Sequence, residues 1–153
     1  MKRVLPALLL LAAAACSHSG GGTASQPGHG AITVAIAPNP IVAKAVSGNT
    51  YEFPFDIILR ETGGHALTIT GVTMTVYAFG LPMNVDKYDA AQITAMGLPT
   101  QVPANGEWRH HMQPRRAVTD ERLFSSITAA VRIDAVDDTS APASASTTVT
   151  VTR

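Results

Sequence analysis

The sequence holds one cysteine in 153 residues. A single thiol closes no internal disulfide, so no disulfide framework staples this fold. Charge is scarce as well. Asp, Glu, Lys and Arg make up 14% of the chain and balance to a formal net charge of +0. No global basic field recruits nucleic acid, and none is expected as a partner. Aromatic residues reach only 5%. The one long apolar run, residues 4–15, is too short to span a bilayer as a mature helix, which takes about 20 residues. The sequence contains no Gly-x-Ser-x-Gly elbow and no His-Glu-x-x-His helix. No residue is assigned a catalytic role, and a non-enzymatic protein is expected.

What is present bounds the class. Hydrophobic residues make up 46%, which is ordinary for a globular protein and argues against full disorder. The length allows one modest domain plus a leader. Beyond Lys2, lysine occurs only at positions 44 and 87, while Ala, Thr, Ser, Val and Gly dominate. Thr/Val-rich, Lys-poor sequence suits strands better than helices.

Residues 1–15 have the anatomy of a signal peptide. Lys2 and Arg3 form a positive start, residues 8–11 form the apolar stretch, and Ala13, Ala14 and Ala15 are the small residues before cleavage. Cys16 follows them directly. Leu11-Ala12-Ala13-Ala14-Ala15-Cys16 resembles the lipobox of bacterial lipoproteins, with Ala13 standing where that family favours Leu. The resemblance implies cleavage before Cys16 and acylation of its thiol, a lipid anchor. Ser17 after the cysteine, by resemblance to Gram-negative lipoproteins, implies the outer membrane. Losing Lys2 and Arg3 lowers the eleven basic residues to nine against eleven acidic ones, so the mature chain is mildly acidic. Residues 16–30 would then be the lipidated cysteine and a Gly/Ser tether with no large apolar residue.

Residues 31–153 read as the folded domain. Ile32, Val34 and Ile36 alternate with Thr33 and Ala35, the period of a strand. Residues 50–60 carry the clearest pattern, with Tyr51, Phe53, Phe55, Ile57 and Leu59 on one face. Pro54 predicts an edge position or a local irregularity there. Leu67 and Ile69, then Val72, Met74 and Val76, alternate with a phase slip near Gly71, which predicts a bulge or corner. Residues 84–105 are the least patterned; Asp89 is placed to cap a short helical turn over 89–96, with a broken strand as the alternative. Trp108, His110 and Met112 alternate. A polar loop then leads to a strand expected to start at Phe124, and a last strand covers 146–152. Seven or eight short strands without a long helix predict an all-β sandwich with Greek-key wiring. The Pro-Asn-Pro bend at 38–40, the aromatic strand, the Thr62-Gly63-Gly64 turn and the terminal Thr/Val strand resemble bacterial immunoglobulin-like or fibronectin-like modules.

Candidate sites are few. Adjacent His110 and His111 point to opposite faces of a strand, so they do not chelate one ion together. His110 is expected beside Trp108, and His111 in solvent. Asp134, Asp137 and Asp138 lack the spacing of a calcium loop and read as a solvated turn. No metal or cofactor is assigned. Arg109, Arg115, Arg116 and Arg122 read as a polar loop, with an anionic lipid or polysaccharide surface as the alternative. Tyr77 and Phe79 are the candidate binding surface, with cover by a neighbouring segment the commoner fate of such residues. The expected function is a lipid-anchored envelope protein presenting the sandwich for binding or support, to an envelope protein or polysaccharide. The alternatives are an exported enzyme without a recognisable site and a periplasmic copper protein using Met83, Met96, Met112 and the histidines, since thioethers suit Cu(I). Met and His side chains gathered at one rim would favour copper; a flat aromatic face would favour a binding module.

Overall fold

The computed structural model describes residues 21, 22 and 27–153, so Cys16 and the signal peptide lie outside the described residues. In chain order the strands are β1 (Gly21–Gly22), β2 (Ile32–Ala37), β3 (Ile41–Val42), β4 (Lys44–Ser47), β5 (Thr50–Glu52), β6 (Phe55–Glu61), β7 (Leu67–Ala78), β8 (Leu81–Asp89), β9 (Gln101–Val102), β10 (Glu107–Met112), β11 (Arg115–Ala117), β12 (Thr128–Asp137) and β13 (Pro142–Thr152). One short helix, α1 (Ala90–Ala95), and a 3-10 turn over Glu121–Ser125 complete the described chain.

The alternation over residues 50–60 is real, but it serves two sheets. Pro54 has no N–H for a ladder, and the chain breaks there into β5 and β6. Phe55, Ile57 and Leu59 of β6 enter the main core, where Leu59 is fully buried. Tyr51 of β5 instead packs with Ala43 and Val118 in a second, smaller cluster. Phe53, at the break, touches both clusters. The expected common burial of Phe53 with Phe55 and Ile57 therefore holds for the latter two; Phe53 is only half-buried.

Three sheets result. The largest runs β1-β13-β12-β7-β8, with β3 lying parallel to β13 and β9 pairing β7. The second is β10-β6-β2 and the third β11-β5-β4. Val72, Ile133, Ala135, Ala145 and Val149 on the inner face of the first meet Ile32, Val34, Ile57, Leu59 and Trp108 on the inner face of the second. This is an immunoglobulin-like β-sandwich, two sheets enclosing one alternating apolar layer.

Several boundaries move from those read in the sequence. β7 is one strand through Gly71, and the phase slip is a bulge: Asp134 pairs Gly71 while Ala135 pairs Ile69. Phe124 lies in the 3-10 turn rather than in a strand. The last strand starts at Pro142, and the arginine loop contains β11. The region read as unpatterned contains β8, an edge strand with exposed residues on both faces. Such a strand needs no alternation. The strands outnumber the seven or eight expected because breaks at Ala43 and Pro54 divide longer runs and because the two- or three-residue strands β1, β9 and β11 add to them.

Two carboxylates are buried at one end of the sandwich. Glu61 accepts four backbone N–H bonds: from Ala31 (3.2 Å), Gly63 (2.6 Å), Gly64 (2.9 Å) and Asn105 (2.8 Å). Asp137 accepts from the N–H groups of Gly30 (2.8 Å), Thr139 (2.9 Å) and Ala141 (2.8 Å), and from the Thr139 hydroxyl (2.7 Å). Burial alone would raise the Glu61 pKa, but its backbone donors outweigh that and hold it below the ordinary carboxylate range. The Gly30 N–H leads the groups that push Asp137 far below that range, against burial. Gly63 is required where it stands. A Cβ there would lie 2.3 Å from the His29 carbonyl oxygen, so only glycine lets the turn close onto the start of the domain.

Two outcomes follow. Phe55→Ala should cost about 3–5 kcal/mol, while Lys87→Ala on exposed β8 should stay within about 0.5 kcal/mol, both read by denaturant unfolding. Both buried carboxylates have depressed folded-state pKa values. Their contribution is therefore complete above the unfolded-state value and lost as pH falls through the folded one. The melting temperature of the wild type should fall steeply below about pH 4, and Asp137→Asn should start lower at pH 7 and show a shallower fall.

Candidate functional site

The sandwich is not sealed along the edge where β8 faces β10. On β10, Trp108, His110 and Met112 point inward and pair with Leu59, Ile57 and Phe55. On β7, Val72 and Met74 point inward, opposite Tyr88 and Asp86 of β8. Between the two edges lies a cavity of about 30 Å³ lined by Met74, Met96, Met112, His110, Trp108 and Tyr88 together with aliphatic side chains.

The segment that closes the cavity is built locally. Asp89 caps α1 by accepting from the Gln92 N–H (2.8 Å), while the Gln92 side chain accepts from the Asp89 N–H (2.9 Å). The helix ends in a Schellman turn: the Leu98 N–H reaches the Ile93 carbonyl and the Gly97 N–H the Thr94 carbonyl. Gly97 supplies the positive φ of 76° that this turn needs. The turn seats Ile93 and Leu98 against the core and leaves Met96, 50% exposed, at the cavity mouth. The Trp108 indole N–H donates to the Pro99 carbonyl (2.9 Å), and the Ile69 N–H to that of Thr100 (2.7 Å), which ties the closing segment to both sheets.

The histidines divide sharply. His111 sits 2.6 Å from Asp56, His65 2.7 Å from Asp138, and His29 3.3 Å from the Thr139 hydroxyl. His110 takes no hydrogen bond from the described residues; its contact is the Trp108 ring at 5.9 Å between centroids. Burial, then the neighbouring His111, lowers the His110 pKa, which favours the neutral imidazole. His110 thus lies beside Trp108 as expected, while His111 is exposed but paired.

A second, open groove of about 350 Å³ is lined by Ala37, Pro38, Lys44, Pro54, Asp56 and His111, among others. It presents a His–Asp pair, and the His111 ring leads the groups that hold the Asp56 pKa down. No Ser, Thr or Cys lines it, so no hydroxyl or thiol stands beside this pair in the groove.

Tyr77 and Phe79 do not form one aromatic face. Tyr77 is half-buried on the outer side of β7, where it pairs with Pro82. Phe79 lies beyond the strand, in the two-residue turn to β8, and is 70% exposed. Phe79 and Gly80 have φ of 52° and 77°, the pattern of a tight hairpin turn that favours Asn-Gly. Leu81 and Met83 are exposed beside it. The cover expected over Phe79 is therefore not there.

The remaining charged candidates are paired. Arg109 meets Asp56 and Glu107, Arg115 meets Glu52, Arg116 meets Asp86, and Arg122 meets Asp120. The turn read as solvated, Asp137-Asp138-Thr139-Ser140, has Asp137 buried by its own donors. Asp134 pairs with Arg132 and Asp138 with His65. The three aspartates thus turn to different partners. Among the described residues, no three His, Cys, Asp or Glu side chains gather as a metal-binding group. Met83 lies on the hairpin and Met74 lines the cavity in its place, a residue the sequence pattern marked only as core.

No family model matches the chain, and no curated protein matches it. Among solved structures it is similar to the Northeast Structural Genomics Consortium target SoR45, with a TM-score of 0.56 and 9% identity over 82% of this chain and 89% of that one. At that identity the likeness shows the fold alone. Chicken MD-1 complexed with lipid IVa aligns with a TM-score of 0.27 and 6% identity over 85% of this chain and 94% of that one. Among the described residues, no helix is long and apolar enough to cross a membrane.

A left-handed conformation costs a non-glycine residue about 1–2 kcal/mol, and exposed Phe79 regains little of it by burial. Phe79→Asn should raise the unfolding free energy by about 1 kcal/mol in a chemical denaturation series.

Proposed function

We propose that this chain is an exported, lipid-anchored protein of the bacterial cell envelope, and that its sandwich is a binding module rather than an enzyme. The observation that carries the anchor is the position of the sole cysteine, directly after the three alanines that end the leader. Acylation there would give a thiol with no disulfide partner a use. Each acyl CH₂ contributes about 0.8 kcal/mol of membrane affinity, so two or more chains hold firmly. Ser17 supports the outer membrane as the destination, and the Gly/Ser-rich residues 17–30 support a tether with a reach of roughly 20 Å.

The binding reading rests on what the sandwich leaves unsealed. The β8–β10 edge offers a cavity with soft donors, and the β7–β8 hairpin offers exposed Phe79, Leu81 and Met83. An envelope protein is the macromolecular partner that an apolar hairpin tip supports. A polysaccharide is supported less, since each arginine of the 109–122 stretch already holds a carboxylate. The copper alternative gains one specific observation: three of the methionines share one cavity.

Mass spectrometry of the membrane fraction tests the anchor. The expected mature N-terminus is acylated Cys16, and Cys16→Ser should release the protein into the soluble fraction. An unmodified N-terminus, or a wild type that is soluble, would contradict the proposal.

A further inference from the structure

We propose that the cavity between β8 and β10 is a Cu(I) site, with the thioethers of Met74, Met96 and Met112 as its ligands and the Trp108 indole as its wall. The inference rests on the binding-module reading and supplies its ligand.

The size of the cavity decides the class of occupant. Pockets for organic ligands run to about 300–1,000 Å³. At about 30 Å³ this one holds an ion or a single water and nothing larger. The donor set decides the ion. Thioether sulfur is soft and uncharged, and among biological metals it selects Cu(I) over Zn(II), Mg(II) and Ca(II), which want imidazole, thiolate or hard oxygen. No carboxylate lines the cavity, so a hard or divalent ion would meet no charge compensation there. A monovalent cation is the one such a neutral, soft setting desolvates at least cost.

The donors come from separate parts of the chain, each fixed by its own backbone. Met112 lies on the inward face of β10. Met74 comes from the opposing sheet, where its strand neighbour Val131 is buried. Met96 is placed at the mouth by the Schellman turn that ends α1, so the partly exposed thioether is the one that an incoming ion meets first. The Trp108 ring is locked by its bond to Pro99 and lies beside His110. An indole so placed adds cation–π attraction for a bound monovalent ion.

Gap-filling by flexible methionines is what would place these residues here without a ligand, and a direct titration separates the two. The full chain carrying Cys16→Ser, so that no thiol competes, is titrated with Cu(I) under ascorbate against bicinchoninate. The site should withdraw one equivalent of Cu(I) from the chelator and quench the fluorescence of Trp108, the chain's only tryptophan. Met74→Leu/Met112→Leu conserves volume and should weaken binding about 100-fold or more, with the thermal unfolding of the metal-free protein retained. Met83→Leu should change neither signal. Failure to withdraw copper overturns the inference, and so does copper uptake that is unchanged in the double variant, which would place the ion on other residues. A chain acylated at Cys16 that binds no Cu(I) would leave the envelope-protein reading standing and remove this one.

Discussion

A buried carboxylate with four backbone donors holds this domain in register. Glu61 ends β6 and draws in Ala31 from the entry to β2, the Gly63-Gly64 turn after β6, and Asn105 from the turn before β10. These contacts fix both neighbours of β6 at one end of its sheet. Asp137 does the same for the larger sheet, joining Gly30 to the turn between β12 and β13. Charge-assisted hydrogen bonds of this kind are short and about twice as strong as neutral ones, and an ionised carboxylate is their best acceptor. With the chain entry pinned by both carboxylates, the register of β10 against β6 is set. That register aims Trp108, His110 and Met112 into the sandwich instead of into solvent.

The core was legible in the sequence where one residue's side and its neighbour's side differ in polarity. Phe55, Ile57 and Leu59, the Val149/Val151 pair, and Trp108 with His110 all showed that alternation. Asp89 was legible as a cap because a helix start needs an acceptor for free N–H groups. Other features were hidden for physical reasons. Tyr51 follows the same period as Phe55 but belongs to another cluster, since Pro54 turns the chain from one sheet to the next. β8 carries little alternation because only Asp86 and Tyr88, on its inner face, are even half-buried. Glu61 and Asp137 sit in Gly/Thr/Ser-rich turn sequence that reads as solvated, and only the fold reveals how many N–H groups converge on them.

The cavity was the least legible of all. Met112 and His110 could be placed on one face from their spacing, but Met74 and Met96 join them through contacts distant in the chain. Met83, equally plausible in the sequence, is carried away from the site because Phe79-Gly80 reverses the chain and Met83 falls in the irregular stretch beyond it. The same hairpin holds Phe79 in a conformation that phenylalanine rarely adopts, at a tip that buries nothing. Strain and exposure together mark a surface shaped by something other than stability.

The account depends on the thioethers of one cavity acting together, and the methionine methyl groups report on this directly. In a carbon–proton correlation spectrum of the chain labelled at the methionine methyls, addition of one equivalent of Cu(I) under reducing conditions should move the signals of Met74, Met96 and Met112 together. The signal of Met83, exposed on the hairpin, should stay in place. Equal shifts at Met83, or stationary signals from the three cavity methionines, would contradict it.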